Sequence, residues 1–151
     1  MIKYTWFLLC SIITALGGCN QHLDADLPLS QGDTITILQT ALNDQNLVKD
    51  ATLYLPGQSL KLIRNNVVNP NYSLTFNRQP VILINIKEAG PEVREVYPKQ
   101  FIVSYPMFKA IHKDTVLLSM VVHPGNSTDL YMIGRDNNGK WQILQDEKGK
   151  L

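Results

Sequence analysis

The chain has 151 residues, room for a single domain, with 14 Lys and Arg against 13 Asp and Glu. Setting aside residues 1–18, which hold Lys3 and no acid, leaves 13 of each sign, so no basic surface for nucleic acid is expected. Both cysteines, Cys10 and Cys19, fall before residue 20, and the remainder of the chain therefore has no thiolate chemistry, disulfide or cysteine metal ligand.

At the start, Lys3 precedes the apolar run "WFLLCSIITAL". The run is too short for a spanning helix of about 20 residues, and no basic stop-transfer cluster follows it. Charge, apolar stretch and small residues in that order read as an export signal.

The end of this signal, Leu16-Gly17-Gly18-Cys19, resembles the lipobox of bacterial lipoproteins. The resemblance implies cleavage before Cys19, diacylglycerol on its sulfur and acylation of the new amine, with palmitate a typical chain. Two or three acyl chains hold a protein at a membrane far more firmly than one, at about 0.8 kcal/mol per buried CH₂. Asn20 stands where an Asp retains enterobacterial lipoproteins at the inner membrane, so the resemblance implies outer-membrane attachment with the domain in the periplasm. The expected organisation is a signal peptide over 1–18, a lipid-anchored tether over 19–32 and a single β-rich domain over 33–151. His22 lies in the tether, where exposure is its natural state.

Next comes "DTITILQTALNDQNLVKD". Ile35, Leu38 and Leu42 have helical spacing with Asp33 as a cap, whereas Thr34 to Ile37 are β-branched; the balance leans to a helix over 33–43. Leu53 and Leu55 alternate with polar neighbours, as do Leu60 and Leu62 beyond "PGQ", which reads as two strands around a turn. "NNVVNPNY" is a loop, "YSLTF" a short strand, "PVILINIK" a mostly buried strand and "EAGPE" a turn. Tyr-Pro pairs at 97–98 and 105–106 bracket a further strand, placed at a sheet edge because proline lacks a ladder donor. "DTVLLSMVVH" is a strongly apolar strand. Finally "DLYMIGRDNNGKWQILQ" is a hairpin turning at Asn138-Gly139, with Trp141 and Ile143 on the core face opposite Tyr131 and Ile133 or their neighbours.

Seven or so short strands predict a mostly β fold, a small antiparallel β-sandwich with an N-terminal helix. The alternative is an α+β curved sheet packed on a helix. In this, "DNNGKW" resembles the closing hairpin of the cone-shaped nuclear-transport-factor-like domains.

Catalytic patterns are not expected. His112 and His123 lack the spacing of metal ligands. Ser104, Ser119 and Ser127 sit outside any nucleophile elbow. Glu88, Glu92 and Glu95 flank a Gly-Pro turn, and "PGNST" lacks the length and lysine of a phosphate loop. Asn71 and Asn126 begin sequons that read as loop residues. No cofactor, no metal and no enzymatic activity are expected. The expected partners are the membrane, through the lipid, and a protein of the envelope. The function that follows is a binding or assembly module, such as an accessory lipoprotein of a secretion, conjugation or pilus apparatus. The alternative is a periplasmic immunity or inhibitor protein that plugs an attacking enzyme with its loops.

Overall fold

The computed structural model describes residues 29–85, 101–123 and 127–150. Leu16, Gly17, Gly18, Cys19 and Asn20 lie outside these, as do Glu88, Glu92, Glu95, the Tyr97-Pro98 pair and the "EAGPE" turn.

Helix α1, Gln31–Leu42, opens on a reciprocal cap. Ser30 is extended, its Oγ accepts from the Asp33 N–H at 3.0 Å, and its hydroxyl donates to Asp33 Oδ2 at 2.7 Å. Ser30 rather than Asp33 is thus the cap, and the helix starts within the segment expected to be tether. The β-branched run does not prevent helix formation, because Thr34 and Thr36 donate back to the carbonyls of Ser30 and Gly32 at 3.2 and 2.8 Å. A buried stripe of Ile37, Leu38, Ala41 and Leu42 fixes the face.

Helix α2, Gln45–Tyr54, is capped by Asp44, whose side chain accepts from the Asn46 N–H at 3.2 Å. It takes in Thr52 to Tyr54, expected to be strand. Leu47 and Ala51, four apart, are buried on one face of it, and burial at this helical spacing outweighs the local alternation.

The strands are β1 (Lys61–Ile63), β2 (Thr75–Phe76), β3 (Gln79–Pro80), β4 (Ile82–Ile84), β5 (Ile102–His112), β6 (Thr115–His123), β7 (Ser127–Arg135) and β8 (Trp141–Lys150). Six of them form one mixed sheet in the order β4-β1-β5-β6-β7-β8, while β2 and β3 pair separately. β1 runs parallel to both β4 and β5, and β5 to β8 form an antiparallel meander. The mostly β class holds. The layer against the sheet comes from α1, α2 and the small hairpin, which is the helix-packed arrangement weighed above.

Two strand placements differ from expectation. β4 is the outer strand of the sheet and Ile82 is 45% exposed, so "PVILINIK" is not mostly buried. β5 is an interior strand, between β1 and β6. Pro106 fits there because it falls in the register shift between Ser104 and Met107. Moreover β1 accompanies β5 only at Ile102 and Val103, so no ladder donor is demanded of the proline on that side.

The closing hairpin forms as expected in position but not in turn type. Asp136 N–H donates to the Lys140 carbonyl at 2.9 Å, and Asp136 Oδ1 accepts from the N–H groups of Asn138 and Lys140. Gly139 takes φ 77°. This is the three-residue loop with a left-handed glycine, not a two-residue mirror-image turn.

The main core lies between the helices and the inward sheet face. Leu62, Val103, Tyr105, Leu118, Tyr131, Ile133 and Trp141 meet Ile37, Leu38 and Leu42 there, all nearly or fully buried.

Candidate docking surface

Side chains alternate across a sheet, so the inward residues fix which residues point away from the helices. The pairs Lys109↔Leu117, Leu117↔Met132 and Met132↔Gln145 form one outward row. Met107↔Ser119, Ser119↔Leu130 and Leu130↔Glu147 form the next, and Ser104↔Val121, Val121↔Thr128 and Thr128↔Gly149 a third. On the other half of the sheet, Ile82 pairs with Lys61 and Ile84 with Ile63, again outward.

The middle of this face is largely apolar, and its margins are polar at Ser104, Lys109, Thr128, Gln145 and Glu147. Met107, Leu117, Val121, Leu130 and Met132 are all partly exposed. Leu144, at the irregularity in the β7–β8 register, is 53% exposed and lies over Gly134, whose missing Cβ would stand 2.6 Å from Leu144 Cδ1 and 3.3 Å from the Asp114 carbonyl oxygen. Glycine is what lets the leucine lie flat on the sheet here. Among the described residues neither helix covers this side; both pack on the other.

The inward side holds the polar clusters. Asp33 Oδ1 accepts from Trp141 Nε1 at 3.0 Å and from the Arg135 guanidinium, which also stacks 4.7 Å from the Trp141 ring centroid. The indole and Ser30 hydrogen bonds, with Arg135 adding its charge, hold the Asp33 carboxyl below its usual range. Further along, the Tyr131 hydroxyl donates to Asp44 Oδ2 at 3.1 Å, and Lys148 pairs with Asp50 at 3.0 Å. Asp129 is 4% exposed with Oδ1 unpartnered, and burial pushes its carboxyl up, against the pull of Lys148. The Tyr105 hydroxyl is buried without a partner, and burial raises its pKa too.

The Asp33, Asp44 and Asp50 contacts tie helices to strands. They do not assemble a metal site: among the described residues no three His, Cys, Asp or Glu side chains are grouped to hold an ion. His112 and His123 stand at opposite ends of the β5–β6 ladder, paired with Thr115 and Ile102, roughly 30 Å apart along the strand. Ser104 and Ser119 lie on the outward face, and Ser127 begins β7. One cleft of about 130 Å³, lined by Ala51, Leu55, Phe76 and Asn77 among others, is below the roughly 300 Å³ of small-molecule sites.

Sequence reasoning did not mark the outward face. The signal was present in "VLLSMVV" and "DLYMI", whose polar positions are too few for a strand with one wet side. No family model, no characterised protein and no solved structure matches this chain.

Proposed function

We propose that this chain is a lipid-anchored binding or assembly module of the bacterial cell envelope. It is attached to the outer membrane through Cys19 and works by docking through the outward face of its sheet. The observation that carries this reading is the group of partly exposed Met107, Leu117, Leu130 and Met132 on two adjacent rows, with Leu144 53% exposed beside them, on the side away from the core. Contiguous exposed apolar patches of this kind mark interaction sites in soluble proteins. The lipobox-like Leu16-Gly17-Gly18-Cys19 supports the membrane attachment, and the polar clusters, each tying a helix to a strand, support binding rather than chemistry.

The test is site-specific photo-crosslinking of the full chain in cells. A photoreactive residue at Leu144 should give discrete adducts, and one at Leu53, exposed on α2, should give none. Equal labelling from both positions, or no adduct from Leu144, would defeat the reading.

A further inference from the structure

We infer that the outward face is occupied by a second copy of this chain, in a two-fold dimer with sheets back to back. This rests on the docking reading above and names its partner. The argument comes from the placement of charge and side-chain size on the β5–β8 meander.

Among the described residues of the β5–β8 meander, the outward face carries one cation, Lys109 on β5, and one anion, Glu147 on β8, at opposite margins of the four strands, while Lys61 points outward beyond them on β1. Lys109 and Glu147 are both exposed. A two-fold axis parallel to the strands, between the sheets and over the β6–β7 boundary, carries β5 of one copy onto β8 of the other. Lys109 then faces Glu147 one outward row away, about 7 Å along the strand, and the pair forms twice. An axis perpendicular to the strands would set β5 on β5 and β8 on β8, bringing like charge to like. Charge therefore selects the first arrangement.

Size agrees with it. The same axis exchanges β6 with β7, so Ser119, the small residue at the centre of the face, comes opposite Leu130 of the other copy, and Leu117 comes opposite Met132. The larger Leu130 thus comes over the smaller Ser119, itself only 9% exposed between its neighbours, at two symmetry-related places, the self-complementarity that an isologous interface requires. Four strands about 4.8 Å apart and about nine residues long cover roughly 600 Å² per copy. The total is near the lower limit of about 1,200 Å² for specific interfaces, which makes this a reversible dimer.

The experiment uses the full chain carrying either of two affinity tags, co-expressed and extracted in mild detergent. The wild-type copies should co-purify and give a cross-linked species of twice the chain mass. Lys109→Glu and Glu147→Lys should each lower that yield several-fold with thermal stability unchanged, and the double variant should restore it. Absence of co-purification in the wild type, insensitivity to both single swaps, or no recovery in the double variant would each overturn the dimer. A photo-adduct from Leu144 of any mass other than twice the chain, with no co-purification, overturns the dimer and leaves the docking reading in place. No adduct at all removes both.

Discussion

Asp33 and Asp129 are two carboxylates whose surroundings pull them in opposite directions, and acid titration should separate them. Asp33 is held below its ordinary value by the Trp141, Ser30 and Arg135 contacts. Its contribution is therefore present above the unfolded carboxylate value of about 3.9 and lost as pH falls toward the lower folded value. Asp33→Ala removes the capping partner and the acceptor for Trp141 and Arg135 together, and should cost on the order of 2 kcal/mol in urea unfolding at neutral pH. Asp129 is raised by burial, so the sign reverses: its burial is cheapest below about pH 3.9 and costs stability as pH rises through the folded value. Asp129→Asn should stabilise the domain by about 1 kcal/mol at neutral pH, and the gain should vanish in acid. Unfolding midpoints at several pH values check both. Trp141 is 4% exposed, and Trp141→Ala should cost about 3–5 kcal/mol, a loss visible as a collapse of soluble yield and of the calorimetric transition.

Elements were legible where one local signal dominated. The closing hairpin shows through Asn138-Gly139, and β6 through an unbroken apolar run. Helix α1 was ambiguous because β-branched residues oppose its helical spacing, and the threonine back-bonds that reconcile the two are invisible in sequence. Helix α2 reads as strand at Thr52 to Tyr54, where an alternation of period two overlays the helical spacing of the buried Leu47 and Ala51. Likewise β4 reads as buried because its residues are apolar on both faces, although it has a neighbour on only one edge. The β2–β3 turn gave no signal, since its central residues are Asn77 and Arg78 at φ 46° and 65° rather than glycine. An arginine in this region costs about 1 kcal/mol. Arg78→Gly should therefore raise stability by about 0.5–1 kcal/mol, measured as a higher denaturation midpoint.

At the scale of the whole molecule, the sheet has one face packed on the helices and a second that no described helix covers, and the proposed lipid on Cys19 would add a separate point of attachment. Cys19→Ser tests that last point: fatty-acid labelling of the wild-type protein in bacteria should be lost in the variant, which should accumulate as a larger precursor or in the soluble fraction. The uncovered sheet face could not be read from the sequence. Each strand pattern fits equally a sheet buried between two layers of its own chain, and the register and the helix placement show which side the described helices leave uncovered.

The ties between the helices and the strands also set an order of events. Asp33 reaches Trp141, Asp44 reaches Tyr131 and Asp50 reaches Lys148, across sequence separations of 108, 87 and 98 residues. Isolated helices of α1 and α2 length are marginal in water, and the strands that support them lie far downstream. A nascent chain emerging N-terminus first therefore cannot complete its helical layer until β7 and β8 have emerged. Such late, non-local closure makes folding slow, so the chain spends a long interval with its helical layer open before β7 and β8 seal it.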